Sequence, residues 1–176
     1  MRVACFGGSF NPPHVGHAMV AAWLLWTERV DEVWIIPAFV HAFDKALAPF
    51  PRRFAACQQL AGILGPRARA IDIEAHLPAP SFTVNTLDAL AAAHPNARLQ
   101  LVLGADNVSS LQKWKNWARI EAEYSPIVVG RGGHELPGVP TFPDVSSTEV
   151  RRRLAAGESV EALVPAAVLA VWAEAR

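Results

Sequence analysis

Residues 1–176 predict an α/β fold: one doubly wound, Rossmann-like domain with a mainly parallel sheet of five to six strands and C-terminal helices. Three observations carry this reading. Short apolar runs alternate with longer amphipathic ones, the pattern of a parallel sheet covered on both faces. The chain has the length of one ordinary domain, with 52% hydrophobic and 18% charged residues, which suits a buried core and not a disordered chain. No internal repeat or linker divides it, and the Pro- and Gly-rich stretches at 37–51 and 130–143 read as loops within one domain.

Arg2–Phe6 is a continuous apolar run and reads as a first strand, with a helix after it over Val15–Arg29. Glu32–Ile36 is a second strand, stopped by Pro37, and Pro51 suits the first turn of a helix running to Leu64. Ala68–Ile73 is a third strand and Thr83–His94 a third helix. Arg98–Leu103 is a fourth strand, with a short helical stretch over 105–111 and another at Trp117–Glu123. Pro126–Val129 is a fifth strand and Val139–Phe142 a short sixth. Ser147–Ala156 and Pro165–Glu174 are the closing helices. The topology rules place a ligand cleft at the strand C-termini.

Composition excludes several classes. Lys plus Arg and Asp plus Glu are each 16, so no overall basic field exists to hold a nucleic acid; the only dense basic patch is Arg151–Arg153. No apolar run approaches the ~20 residues of a membrane span. Gly7, Gly8, Asn11 and Pro12 interrupt any signal-peptide core, so a cytoplasmic protein with reduced Cys5 and Cys57 is expected. Neither G-x-G-x-x-G nor the P-loop pattern is present, and the second strand ends in Pro37 where a ribose-binding acid would stand, which argues against a dehydrogenase or P-loop enzyme.

The first strand leads instead into Gly7-Gly8-Ser9-Phe10-Asn11-Pro12-Pro13-His14-Val15-Gly16-His17. The glycines allow a sharp turn and close approach of a ligand. His14 and His17 fall one turn apart at a helix N-terminus, which already attracts anions through free N–H groups. Gly16 keeps a Cβ off the surface between them. Zinc is the competing use of a His-x-x-His pair, but it needs three or four ligands, and the remaining histidines are scattered. Near the other end, Ser146-Ser147-Thr148-Glu149 reads as a helix cap with capping-box spacing, and it offers hydroxyls and N–H groups that an anion can share with Arg151.

These two stretches resemble the HxGH and ISSTxIR motifs of the nucleotidyltransferase superfamily related to class I aminoacyl-tRNA synthetases. The resemblance implies that His14, His17 and Arg151 are catalytic. It further implies that Gly7, Gly8, Ser9, Phe10, Gly16, Ser146, Ser147 and Thr148 hold ATP and its phosphates. Val145 and Val150 stand where the motif has Ile.

Two middle segments bear on the acceptor: Pro80-Ser81-Phe82-Thr83-Val84-Asn85-Thr86-Leu87, and Leu103-Gly104-Ala105-Asp106-Asn107 with Lys113-Trp114-Lys115-Asn116-Trp117. Both resemble stretches of the nicotinate-mononucleotide adenylyltransferases, and the resemblance runs over nearly the whole chain. Thr83 and Thr86 at a helix start suit a carboxylate or amide, Trp114 a planar pyridine ring, and Asp106 a ribose or a magnesium ion. Trp117 reads as core.

The family's Pro-Pro-His-Lys after the second strand is replaced by Pro37-Ala38-Phe39-Val40-His41-Ala42-Phe43-Asp44-Lys45, and Lys115 stands where relatives often carry an aromatic. Lys45, the fixed cation of this loop, is expected to reach the ATP phosphates as residues 38–49 close over the nucleotide. The implied activity is adenylyl transfer from ATP, with Mg²⁺, to nicotinate mononucleotide. It yields nicotinate adenine dinucleotide and pyrophosphate, a step in NAD biosynthesis. The rivals are the same chemistry on nicotinamide mononucleotide, phosphopantetheine or a small phospho-alcohol, and a non-catalytic nucleotide-binding protein. The partners expected are ATP and a mononucleotide, without nucleic acid or membrane; homo-oligomerisation is left open.

Overall fold

The computed structural model describes residues 1–40 and 46–174. Six strands, β1 (Arg2–Gly8), β2 (Glu32–Pro37), β3 (Ala68–Ala70), β4 (Arg98–Gly104), β5 (Ile127–Arg131) and β6 (Thr141–Phe142), form one sheet in the order 3-2-1-4-5-6. Every pairing between them is parallel. The helices are α1 (Val15–Trp26), α2 (Phe50–Leu64), α3 (Thr83–Ala93), α4 (Trp117–Tyr124), α5 (Ser147–Ala155) and α6 (Ala166–Glu174). The expected doubly wound α/β architecture is present, and the strand order reverses between β1 and β4.

Alternation along the strands explains the two-sided burial. Ala4 and Phe6 of β1, with Val33 and Ile35 of β2, pack into a core shared with α1, α2 and α6. Val3, Cys5, Trp34, Ile36, Leu99, Leu101 and Leu103 point to the opposite core, against α3 and α4. Strands buried on both faces need uninterrupted apolar sequence, which is what makes β1 and β2 legible. Both cysteines are buried and free, and burial pushes the Cys5 thiol up to about 12.

Some boundaries differ from expectation, for local reasons. The first helix stops at Trp26, because Glu28 takes a left-handed φ of 52° and the Thr27 hydroxyl donates back to the Trp23 carbonyl at 2.7 Å. The third strand ends at Ala70, and Ile73–His76 forms a 3-10 turn that brings Glu74 inside. The fifth strand continues to Arg131, which carries that side chain to the C-terminal edge of the sheet. None of the described helices is long and apolar enough to cross a membrane. Lys45 and the other residues at 41–45 lie outside the described residues.

Candidate active site

A cleft of about 480 Å³ opens at the C-terminal ends of β1 and β4, within the usual size range for small-molecule sites. The loop after β1 forms its floor. Gly7 faces open space, whereas a Cβ at Gly8 would press on the Phe10 ring at 3.2 Å. That ring is 1% exposed, edge-on to Phe6 at 5.6 Å and 4.7 Å from the His17 ring. Phe10 holds a φ of +43°, a strained conformation maintained by this packing. Its side chain therefore supports His17 from below, so any contact Phe10 makes with phosphate has to come from its backbone.

His14 and His17 are brought together as expected. Their ring centroids lie 3.8 Å apart with planes 31° from parallel. The His14 backbone N–H donates to His17 Nδ1 at 3.2 Å, so a neutral His17 carries its proton on Nε2, free to donate to a ligand. His14 Nδ1 is buried without a partner among the described residues. Burial, and then the positive charge of Arg131, lower the His14 pKa to about 4; burial, His14 and Arg131 push His17 well below its usual value. Both rings are therefore neutral donors at pH 7. Gly16 serves this pair directly: a Cβ there would sit 3.1 Å from His14 Cε1 and Nδ1. Its bare surface accommodates the His14 ring, where the sequence suggests a nucleotide.

The segment at the start of α5 meets the loop after β1. Ser147 Oγ donates to the Pro12 carbonyl at 2.8 Å, and Arg151 donates to the Asn11 carbonyl at 2.6 Å and to Thr148 Oγ1 at 3.3 Å. Residues 135 or more apart in sequence are thus tied backbone to side chain. Ser146 caps α5 by accepting from the Glu149 N–H at 3.2 Å. The expected capping box is only half formed, because the Glu149 carboxylate pairs with Arg152 and Arg153 instead. Those pairs, with Arg152 to Glu158, neutralise Arg152 and Arg153 of the basic patch seen in the sequence. With the Ser147 hydroxyl donated inside the protein, the groups of α5 that remain to meet an anion are its first-turn N–H groups, the Ser146 and Thr148 hydroxyls, and the guanidinium N–H groups of Arg151 not used on Asn11 and Thr148.

On the far side of the cleft lies the start of α3, where Phe82 is the N-cap and no side chain caps the helix. Thr83 opens this helix at the cleft. Thr86, also in the cleft lining, is 4% exposed and its hydroxyl donates to Glu74 Oε1 at 2.9 Å. Glu74 Oε2 also accepts the Phe39 N–H at 3.0 Å, so this buried carboxylate ties the segment after β2 to α3. Trp114 is half-buried at the cleft and meets Trp117 edge-on at 6.1 Å. Asp106 lies 3.8 Å from Arg131, and a Cβ at Gly104 would collide with its Oδ1. Among the described residues no cluster of three or more acidic, His or Cys side chains is placed to hold a metal.

A model of the cytidylyltransferase-like family matches residues 5–153. The chain belongs to that family. Its relatives include proteins named probable nicotinate-nucleotide adenylyltransferase. That of Anaeromyxobacter sp. (strain K) is 48% identical over 175 residues, covering 96% of this chain and 91% of that protein. That of Myxococcus xanthus (strain DK1622) is 40% identical over 172 residues, covering 97% and 90%. A solved structure of Plasmodium falciparum nicotinic acid mononucleotide adenylyltransferase complexed with NaAD superposes with a TM-score of 0.79 at 19% identity, covering 98% of this chain and 95% of that one, and shows the same fold. This chain is a nucleotidyltransferase.

Within this cytidylyltransferase-like chain, three residues at or beneath the cleft are not singled out by sequence reasoning. Arg131 is legible in principle, since side chains at strand C-termini line such clefts, but the apolar run that marks β5 ends two residues before it. Arg53 is 1% exposed in α2 and donates to the carbonyls of Ala48 at 2.8 Å and Ser9 at 3.1 Å. Nothing distinguishes it in sequence from its neighbour Arg52. Glu74 lies in a run that reads as strand and loop, and only its inward turn gives it a role.

Proposed function

We propose that the chain transfers the adenylyl group of ATP to nicotinate mononucleotide, giving nicotinate adenine dinucleotide and pyrophosphate in the cytoplasm, as a step of NAD biosynthesis. One observation carries the reading. The two anion-attracting helix starts, α1 with His14 and His17 and α5 with Arg151, are latched together on one side of a cleft whose other side is the uncapped start of α3. A triphosphate fits the first side and an acceptor bearing a planar ring fits the second.

In this mechanism an oxygen of the mononucleotide phosphate attacks the α-phosphorus in line. One P–O bond forms, the bond from the α-phosphorus to the bridging oxygen breaks, and pyrophosphate leaves with the electron pair. The acceptor phosphate is already anionic, so no general base is needed. His17 Nε2–H and the α1 N–H groups donate to the α-phosphate oxygens as charge builds on them, and α5 with Arg151 receives the departing phosphates. Gly7, Gly8 and Ser9 bring backbone close to the nucleotide. Mg²⁺ entering with ATP would neutralise phosphate charge. Asp106, which lines the cleft, would help hold such an ion, which would otherwise be carried by substrate oxygens and water.

A pyrophosphate-release assay with nicotinate mononucleotide, nicotinamide mononucleotide and phosphopantetheine tests the reading. The acid is expected to give the highest kcat/KM. A ratio at or above unity in favour of the amide, or turnover of phosphopantetheine alone, overturns the acceptor assignment.

A further inference from the structure

The start of α3 gathers donors that the protein itself leaves without an anion. The N-cap is Phe82, which has no polar side chain to offer the first-turn N–H groups. Trp114 Nε1 is buried without a hydrogen-bond partner among the described residues. Lys115 Nζ lies 4.9 Å from the Phe82 ring centroid and 3.4 Å from Asn85 Oδ1, held over the helix start by an aromatic face and an amide oxygen, neither of which neutralises it. Phe82, Thr83, Trp114 and Lys115 all line the same cleft as His14 and His17.

Several of the nearby polar side chains are already engaged, while the Thr83 hydroxyl at the helix start can serve a carboxylate or an amide. The Thr86 hydroxyl donates to Glu74, the Glu74 oxygens take Thr86 and the Phe39 N–H, and Asn85 Oδ1 takes Lys115. The groups left over are a set of donors around one ammonium group, suited to a planar ring bearing a carboxylate. A carboxamide offers that set only its oxygen and brings no charge for the ammonium group to pair with.

Resting on the functional reading above, we propose that Lys115 is a specificity-determining residue: it pairs with the ring carboxylate of the acceptor and so selects the acid over the amide. The acceptor's phosphate is not the group it pairs with. That phosphate has to reach the α-phosphorus beside His14 and His17, whereas the aromatic end of the cleft, at Phe82 and Trp114, is where a ring would lie.

The test is steady-state kinetics of Lys115→Met, Lys115→Arg and Lys113→Met on nicotinate and nicotinamide mononucleotides at saturating ATP. Lys115→Met should lower kcat/KM for the acid about tenfold, the size of one charge-assisted hydrogen bond, mainly through KM. It should leave the amide within about twofold of wild type, the scale of an exposed charge change. Lys115→Arg should restore most of the preference for the acid. Equal losses on both acceptors would mean that Lys115 serves the phosphate or the fold. No loss on either, or a shift in the acid-to-amide ratio produced by Lys113→Met and not by Lys115→Met, likewise overturns the assignment. The functional reading fails separately and visibly, if the wild-type protein does not turn over the acid, and the assignment falls with it.

Discussion

Adding one methyl group at Gly16 tests whether the spacing of the histidine pair sets the rate. The new Cβ would stand 3.1 Å from two atoms of the His14 ring and 3.6 Å from Val145 Cβ. Ordinary contact between such atoms is about 3.5–4.0 Å, so the ring has to give by roughly 0.5 Å. It has little room to do so: His14 is 4% exposed and its ring lies 3.8 Å from that of His17. The displacement passes either to His17 or to the contact of α1 with Val145. Misplacement by 1 Å costs on the order of 10²-fold in rate, so half of that suggests about tenfold in kcat for Gly16→Ala. Stability should barely change, because Ala gains up to about 1 kcal/mol of helix propensity over Gly, which offsets the strain. The assay is pyrophosphate release at saturating ATP and acceptor, beside a thermal melt. A kcat within about twofold of wild type at unchanged Tm would show that the pair tolerates displacement, and the argument from ring spacing would be refuted.

The same geometry sets other outcomes. His17→Ala should lower kcat by about 10²–10³ with a smaller effect on ATP binding, the usual cost of losing a donor to transition-state charge; near-normal turnover in a folded variant removes His17 from the mechanism. Gly7→Ala meets no protein atom within 4 Å, so it should raise KM for ATP with the melt unchanged, and an unaltered KM would mean that the nucleotide does not lie against Gly7. The His14 pKa falls from 6.5 to about 4 on folding, so its contribution is fully present above pH 6.5 and is lost as pH drops toward 4. Linkage puts that at about 3 kcal/mol; urea melts across this range should show the slope in wild type and a shallower one in His14→Gln, where the buried His17 still contributes. Arg53→Met removes the donors to Ser9 and Ala48 and should cost about 3 kcal/mol in chemical denaturation, whereas a cost below about 1 kcal/mol would make that buried guanidinium dispensable.

The sequence shows most plainly what is periodic or contiguous. β1 and β2 are visible as unbroken apolar runs, and the two anion sites as glycines, histidines and hydroxyls next to helix starts. Whatever depends on where a side chain turns is hidden. Thr86 stands at a helix start and reads as a ligand donor, but its hydroxyl goes to Glu74, whose inward direction is fixed by a 3-10 turn no pattern announces. Ser146 and Glu149 have capping-box spacing, yet two arginines one turn on compete successfully for the carboxylate. Phe10 belongs to a nucleotide motif, and the positive φ that buries its ring cannot be read from a non-glycine residue.

The bond from Arg151 to the Asn11 carbonyl bears on how product leaves. A carbonyl within reach of the same guanidinium acts as a tethered competitor at high effective concentration. In the proposed mechanism an incoming triphosphate would win the guanidinium by virtue of its charge. As pyrophosphate departed, the Asn11 carbonyl would take its place, so release would be an exchange of partners and not the rupture of an ion pair.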